Sequence, residues 1–274
     1  MGGRSFSLIP FESTDLASLD YSSIRNALAP GCVVRVRGLF DPFEIRKVRE
    51  GIEARFEAGL DRKHDPRDTN AIRGNLQKLQ IGFGSGMDPT RVLGRFLRML
   101  YNPIFAEDVL GARKHFITLA RFRNLLYGLP REFAVHGTDD GYWTASRIHQ
   151  YPRGGGFMTP HRDVYNEAAV RGAVGTYCQA MLVMSRKGRD FHKGGAFVVA
   201  EDAYAHYEDE VEVGDVVVYD GRSIHGVSDI DPLEPLDLHA FNGRVVAFAS
   251  LFRHLQPGEA DYGALARQAR AAPP

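Results

Sequence analysis

Three residues of this sequence have side-chain types and a spacing that suit a metal site. His161 and Asp163 stand two positions apart, and on an extended strand such residues point to the same face. An imidazole and a carboxylate placed in this way can bind one ion together. A third ligand, His225, follows the apolar run 216–219. Two histidines and one carboxylate predict a non-haem Fe(II) type of site, in which other coordination positions stay open.

The context of these residues makes the pattern more specific than the triplet alone. A His-x-Asp triplet arises often by chance and is weak evidence by itself. Here a glycine turn at 154–156 precedes the triplet, and a Gly-Asp-apolar strand at 214–219 leads to His225. The three residues are therefore predicted to act as one metal site.

Composition narrows the classes of protein that fit. The chain has 274 residues, 44% of them hydrophobic, and a formal net charge of zero. This length can form one large domain, and the zero charge argues against a nucleic-acid or anionic-membrane partner. Two cysteines in apolar runs imply no disulfide framework, as expected in a reducing cytoplasm. No apolar run is long enough to span a membrane, and the N-terminus lacks the apolar segment of a signal peptide.

The N-terminal part, residues 1–141, is predicted to be a helical and lid portion packed on a catalytic core. Helices are expected near 22–28, from Asp41-Pro42 to Gly59, and over 88–101 and 106–127, with an edge strand at 33–37 and the rest of 1–30 irregular. The polar, glycine-rich stretch 61–87, which contains Arg73, Gln77 and Gln80, is either a solvated loop or a substrate lid.

The remaining sequence predicts a mostly β core with flanking helices. Short strands separated by glycine-rich turns are typical of a jelly roll. The core is expected at 142–255, followed by a peripheral tail at 256–274. The predicted strands are 142–151, 157–163, 174–185, 194–199, 211–220, 224–229 and 243–253.

Residues 142–253 resemble the double-stranded β-helix (cupin-like) core of Fe(II)/2-oxoglutarate-dependent dioxygenases. The similarity is to the prolyl-hydroxylase-like branch, in which a strand ending Tyr-Pro leads through glycines to His-x-Asp. The corresponding motifs here are Tyr151-Pro152, His161-x-Asp163, Gly194-Gly195 before an apolar strand, and Gly214-Asp215 before His225. The resemblance implies an Fe(II) cofactor bound by the triad, with 2-oxoglutarate and O2 as cosubstrates.

The same resemblance implies a binding site for the far carboxylate of 2-oxoglutarate. The family holds this group with a basic residue on the last core strand, and Arg244 occupies that strand here. Tyr151 resembles a tyrosine that hydrogen-bonds the same carboxylate. Arg244 follows His225 by nineteen positions (244 − 225), whereas the family spacing is about ten. The insert 228–242 is expected to form an enlarged loop, and Val246 stands where relatives often have serine.

Strand alternation indicates which neighbours share the inner face. If Tyr151 points inward, so do Arg147 and His149, and if Arg244 points inward, so does Phe248. Arg147, His149 and Phe248 are therefore candidate substrate contacts. Arg147 is hypothesised to bind a substrate carboxylate, and the alternative is a salt bridge to a nearby acidic residue.

The activity implied by the resemblance is hydroxylation of an unactivated C–H bond in a small metabolite. Such a substrate would be an amino acid or a natural-product intermediate, with 2-oxoglutarate converted to succinate and CO2. The carboxylate of Asp163 favours hydroxylation over halogenation, while desaturation, cyclisation and epoxidation remain possible. Alternatives are a cupin-like metalloenzyme independent of 2-oxoglutarate, a peptide or protein hydroxylase, and a sensor module with a degenerate site. The sequence does not indicate the oligomeric state.

Overall fold

A single sheet of twelve strands carries the candidate site. The structure is a computed structural model that describes residues 6–56, 77–82, 94–163, 170, 172–175 and 177–253. The strands are β1 Ser7–Glu12, β2 Cys32–Arg37, β3 Gln77–Gly82, β4 Arg95–Tyr101, β5 Tyr142–Tyr151, β6 Gly156–His161, β7 Cys178–Val183, β8 Gly195–Ala200, β9 Ala203–His206, β10 Val216–Asp220, β11 His225–Ile230 and β12 Arg244–Arg253.

Strict alternation of side chains divides this sheet into two faces. On β12, for example, Val245 and Ala247 join one core, while Val246 and Phe248 join the other. The strand order is β1-β2-β10-β7-β12-β5-β4-β6-β11-β8-β9, with β3 paired to β4. Residues of β10 and of β8, far apart in this order, share the second core. The sheet therefore closes around that core, as a double-stranded β-helix does.

Three helices supply the apolar cover of the outer face. They are α1 Tyr21–Ala27, α2 Pro42–Phe56 and α3 Arg113–Tyr127. Asp20 caps α1 by accepting hydrogen bonds from the amides of Ser22 and Ser23, and Gly128 ends α3 in the left-handed conformation. Ile45 and Ile52 of α2 are fully buried, and each such side chain contributes about 1.5–3 kcal/mol through its burial.

The mostly β architecture with flanking helices is confirmed, and so are all seven predicted core strands, with shifts at their ends. The helix expected at 88–101 is wrong over its described part, because 95–101 form β4, which pairs with β3, β5 and β6. Five consecutive residues of β4 are buried, the charged Arg98 among them. The sequence therefore shows no alternation between apolar and polar residues, and periodicity alone cannot tell such a buried strand from a helix.

Several boundaries also differ from expectation. The helix predicted from 106 begins only at Arg113, because the Asp108 carboxylate accepts the amide hydrogens of Ala112 and Arg113. The segment expected to be irregular at the start contains β1, which pairs in parallel with β2. As a result β2 lies between β1 and β10 and is not an edge strand.

Some predictions fall on residues that the structure does not describe or that nothing in it tests. Within the stretch 61–87 the structure describes only β3, and Gln77 and Gln80 are residues of this strand. Arg73 lies outside the described residues. The tail after 253 also lies outside them. The division at residue 142 stays a prediction, although β1–β4 join the same sheet as the core. In the described chain, no helix is both long and apolar enough to cross a membrane.

Candidate metal centre and adjoining pocket

Pairing of β6 with β11 brings the two predicted histidine ligands together. His225 stands opposite His161 in the register of these antiparallel strands, and their ring centroids are 4.3 Å apart. The close approach of β11 to β6 and β8 requires a glycine at position 226, directly after His225. A Cβ on Gly226 would lie 2.6 Å from the backbone oxygen of Met158 and 2.6 Å from the ring of Phe197.

Asp163 completes the cluster from just beyond the end of β6. Its Oδ1 lies 3.8 Å from His161 Nε2, and its Oδ2 lies 3.6 Å from His225 Nε2. One ligand atom from each of the three residues lies within 4.8 Å of the other two. The triad predicted from spacing is thus assembled, and among the described residues it is the one group of this kind found.

Backbone carbonyls fix which imidazole nitrogen of each histidine is available. The Nδ1 atom of His161 lies 2.9 Å from the oxygen of Thr159, and that of His225 lies 3.0 Å from the oxygen of Ser223. A carbonyl oxygen only accepts, so Nδ1 carries the proton and the Nε2 lone pair faces the cluster. This second interaction is typical of metal-binding histidines, and two imidazoles with one carboxylate suit Fe(II).

Buried phenols surround the triad and keep its environment apolar. The ring of Tyr219 lies 4.5 Å from that of His225. Burial raises the pKa of Tyr151 to about 12, with Arg244 opposing the rise and Asp163 adding to it. Burial, and next the charge of Asp163, also raise the pKa of Tyr177 and Tyr219 well above the ordinary range. All three phenols are therefore neutral near pH 7 and can donate hydrogen bonds.

Arg244 lies on the same inner face, deep in the fold. It stands opposite Tyr151 in the β12–β5 register, only 2% exposed, with its guanidinium carbon 5.4 Å from the Tyr151 ring centroid. Its Nε donates a hydrogen bond to Glu208, and its Nη2 lies 3.9 Å from Met181 Sδ. Burial alone would lower the pKa of Arg244, but Glu208 and the nearby phenols raise it, so the group stays charged.

Glu208 is a site residue that the sequence argument missed. It is 3% exposed, and its Oε1 also accepts the amide hydrogen of Ala196 at 3.1 Å. Space for it exists because residue 195 is glycine: a Cβ there would lie 2.4 Å from Glu208 Cγ, and the backbone φ is +120°. Glu208 falls in the acidic stretch 208–210, a pattern typical of a solvated turn. The Gly194-Gly195 pair was the available signal that something packs closely there.

Arg147, His149 and Phe248 also share the inner face. Arg147 donates from Nε to His149 Nε2 at 3.0 Å and from Nη1 to Ser250 Oγ at 3.1 Å, and its guanidinium carbon lies 5.0 Å from the Phe248 ring. Burial, and next the charges of Arg147 and Arg244, hold the pKa of His149 well below its usual value. That these three residues contact substrate stays a prediction.

The fold was compared with those of known proteins. The sequence matches no protein-family model and no curated protein, whereas many solved structures match. SnoN, a non-heme α-ketoglutarate-dependent epimerase from nogalamycin biosynthesis, gives a TM-score of 0.51 at 14% identity over 90% of this chain and 93% of its own. JOX2, solved with 2OG, Fe and JA, gives 0.52 at 12% identity over 95% and 81%. The chain therefore has the fold of the 2-oxoglutarate–Fe(II) oxygenases.

Proposed function

We propose that this protein is an Fe(II)/2-oxoglutarate-dependent oxygenase that hydroxylates an unactivated C–H bond of a small organic molecule. The observation that carries the proposal is the converging triad of His161, Asp163 and His225, with both histidine Nδ1 atoms already hydrogen-bonded to carbonyls. The triad lies in the fold that SnoN and JOX2 share, and the JOX2 structure contains 2OG and Fe.

The chain's own groups prepare the site before any cofactor binds. Both imidazoles are fixed in the tautomer that presents Nε2, so metal binding needs no proton rearrangement at these rings. The buried ring of Tyr219 packs against His225 and makes that side of the centre apolar. When bound, Fe(II) would supply the oxidative chemistry with O2 and 2-oxoglutarate, while the protein binds, orients and shields the organic reactants.

Arg244 and Tyr151 are the proposed anchor for the far carboxylate of 2-oxoglutarate. With Nε donating to Glu208 and one Nη2 hydrogen facing Met181 Sδ, Arg244 keeps its Nη1 hydrogens and the second Nη2 hydrogen for a forked, charge-assisted pair. Although Arg244 follows His225 by more residues than is usual in the family, it still stands opposite Tyr151 in the β12–β5 register. The insert is tied down by hydrogen bonds from Arg98 Nη2 to the Leu238 oxygen and from Gln150 Nε2 to the Asn242 oxygen, so β12 still pairs with β5 in register.

The first experiment is an anaerobic titration of the purified protein with Fe(II) and 2-oxoglutarate, followed by visible spectroscopy. A weak charge-transfer band that disappears on exposure to O2, with succinate formed, supports the proposal. His225→Ala should abolish the band, whereas His136→Ala, the same change at an exposed histidine, should leave it unchanged. Iron binding without the band would contradict the use of 2-oxoglutarate and favour a cupin-like metalloenzyme.

The reaction outcome is tested once a substrate is found. Hydroxylation adds one oxygen atom to the product mass, and desaturation or cyclisation removes two hydrogens. Epimerisation, the activity named for SnoN, leaves the mass unchanged. Mass spectrometry of the product in ¹⁸O2 therefore separates these outcomes, and incorporation of one ¹⁸O atom is expected. A peptide substrate would appear in the same assay as an oxidised peptide.

A further inference from the structure

We propose that Arg147 anchors a carboxylate of the organic substrate, so that the substrate is an organic acid. This inference rests on the proposed function and specifies its substrate class. It concerns the middle of β5, where Arg147 lies four residues from Tyr151 on the same face, which corresponds to about 13 Å of strand.

The charge of Arg147 has no counter-charge in the described part of the chain. Its side-chain contacts are the His149 nitrogen, the Ser250 hydroxyl and the rings of Phe248 and Phe252. Ser250 is uncharged, and His149 accepts the Nε hydrogen as a neutral imidazole, a state consistent with its lowered pKa. By contrast, Arg244 on the same face is paired with Glu208. Of these two arginines, Arg147 is therefore the one without a carboxylate partner among the described residues.

The donors left on Arg147 suit a carboxylate. A guanidinium has five N–H groups, of which Nε–H points to His149 and one Nη1–H points to Ser250. The other Nη1–H and both Nη2–H groups have no hydrogen-bond partner among the described residues, and together they form the planar fork that matches a carboxylate. The rings of Phe248 and Phe252, 5.0 and 5.9 Å away, restrict the motion of this fork before a ligand arrives.

The carboxylate that Arg147 binds must come from a molecule other than 2-oxoglutarate. In the proposed site one end of that diacid goes to the metal and the other to Arg244, so it has no third anionic group. Arg147 nevertheless lies on the same inner face as the proposed cosubstrate anchor, because its hydrogen-bond partner His149 lies 6.4 Å from the ring of Tyr151. One face of β5 therefore runs from Arg147 through His149 to Tyr151, which stands opposite Arg244 of the proposed cosubstrate anchor.

The test uses pairs of carboxylic acids and their primary carboxamides with the anaerobic protein loaded with Fe(II) and 2-oxoglutarate. Binding is measured by calorimetry and by the change in the charge-transfer band, and succinate formation is measured after O2 is added. At least one acid should bind about 30-fold more tightly than its amide, the loss expected for one charge-assisted pair. Arg147→Gln should remove that preference, and Arg147→Lys should restore part of it.

Two controls separate a substrate anchor from general damage. Arg147→Gln should keep the 2-oxoglutarate affinity within about 3-fold of wild type, and Arg186→Gln, at an exposed arginine paired with Glu212, should change neither measurement. The proposal is overturned if amides bind as well as acids, if no acid in the panel binds, or if Arg147→Gln weakens 2-oxoglutarate binding more than 10-fold. If wild type shows no 2-oxoglutarate band, the proposed function fails. Calorimetry of the acid–amide pairs with Fe(II) alone then still tests Arg147.

Discussion

Two arginines on the inner face of the barrel, Arg244 and Arg147, differ in how their charge is balanced. Arg244 is almost fully buried and forms an ion pair with Glu208. Arg147 is held by an imidazole nitrogen, a hydroxyl and aromatic rings. A buried cation with a fixed counter-ion is stable without a ligand, whereas removing either partner of such a pair is costly. A cation with only neutral neighbours gains more from an incoming anion.

The comparison indicates different designs for the two proposed ligands. Glu208 lowers the attraction of Arg244 for a carboxylate but fixes the direction of its guanidinium through Nε. We therefore expect Arg244 to distinguish 2-oxoglutarate from other acids by the position of its far carboxylate, at the cost of some binding affinity. Arg147 has only neutral hydrogen-bond partners among the described residues and therefore suits an anionic substrate. We expect the two arginines to act independently and Glu208 to act through Arg244.

The largest expected effect is at Arg244. Arg244→Gln should weaken 2-oxoglutarate binding about 100-fold, because a forked pair to a charged group is lost. Binding of 2-oxopentanoate, which lacks the far carboxylate, should be unchanged. Because Glu208 would be left buried and unpaired, the double variant Arg244→Gln, Glu208→Gln should be measured alongside it. Equal losses for both 2-oxo acids would contradict the assigned role of Arg244.

Removal of Glu208 should have a smaller effect of the same kind. Glu208→Ala should weaken 2-oxoglutarate binding about 10-fold through loss of guanidinium orientation, and Glu208→Gln, which can still accept from Nε, should recover most of that affinity. In an Arg244→Gln background the Glu208 change should add nothing, and a double-mutant cycle measures this coupling. Tighter 2-oxoglutarate binding by Glu208→Ala would mean that Glu208 competes with the ligand.

Gly195 should matter because it makes room for Glu208. Gly195→Ala introduces a Cβ 2.4 Å from Glu208 Cγ at a φ of +120°, so we expect a stability loss of about 2 kcal/mol and a weaker 2-oxoglutarate affinity. Gly155→Ala is the matched control: its φ is +108°, but no atom lies within 4 Å of the new Cβ. Denaturant unfolding of both variants separates backbone strain from the clash. Equal losses would show that the contact with Glu208 contributes nothing.

The last prediction concerns His149, whose pKa is lowered by burial and by the charges of both arginines. Its pKa is lowered in the folded protein, so below about pH 6.5 the unfolded chain binds a proton that the folded protein does not. Stability should therefore fall as the pH drops through this range, by up to about 1.4 kcal/mol per pH unit from this group. His149→Gln should flatten the dependence measured by urea unfolding between pH 7 and 5, and His136→Gln should not. An unchanged slope in His149→Gln would contradict this account.

The candidate metal ligands and most core strands could be predicted because their signals are local. A two-residue spacing places His161 and Asp163 on one face whatever the rest of the fold does, and the apolar strand before His225 is evident in the sequence. Arg244 could be proposed from its Gly-Arg-apolar strand in spite of the unusual spacing. These inferences depend on backbone periodicity and on motifs within about a dozen residues.

Other features were decided only by contacts between distant segments. The run 95–101 has no alternation of its own and becomes a strand because β3, β5 and β6 pair with it. Glu208 looks like a surface acid until β8 and β12 bring Ala196 and Arg244 to it. The sequence thus determined which residue types the site contains. The tertiary structure decided which charges are compensated, because burial and pairing depend on long-range packing that no local pattern encodes.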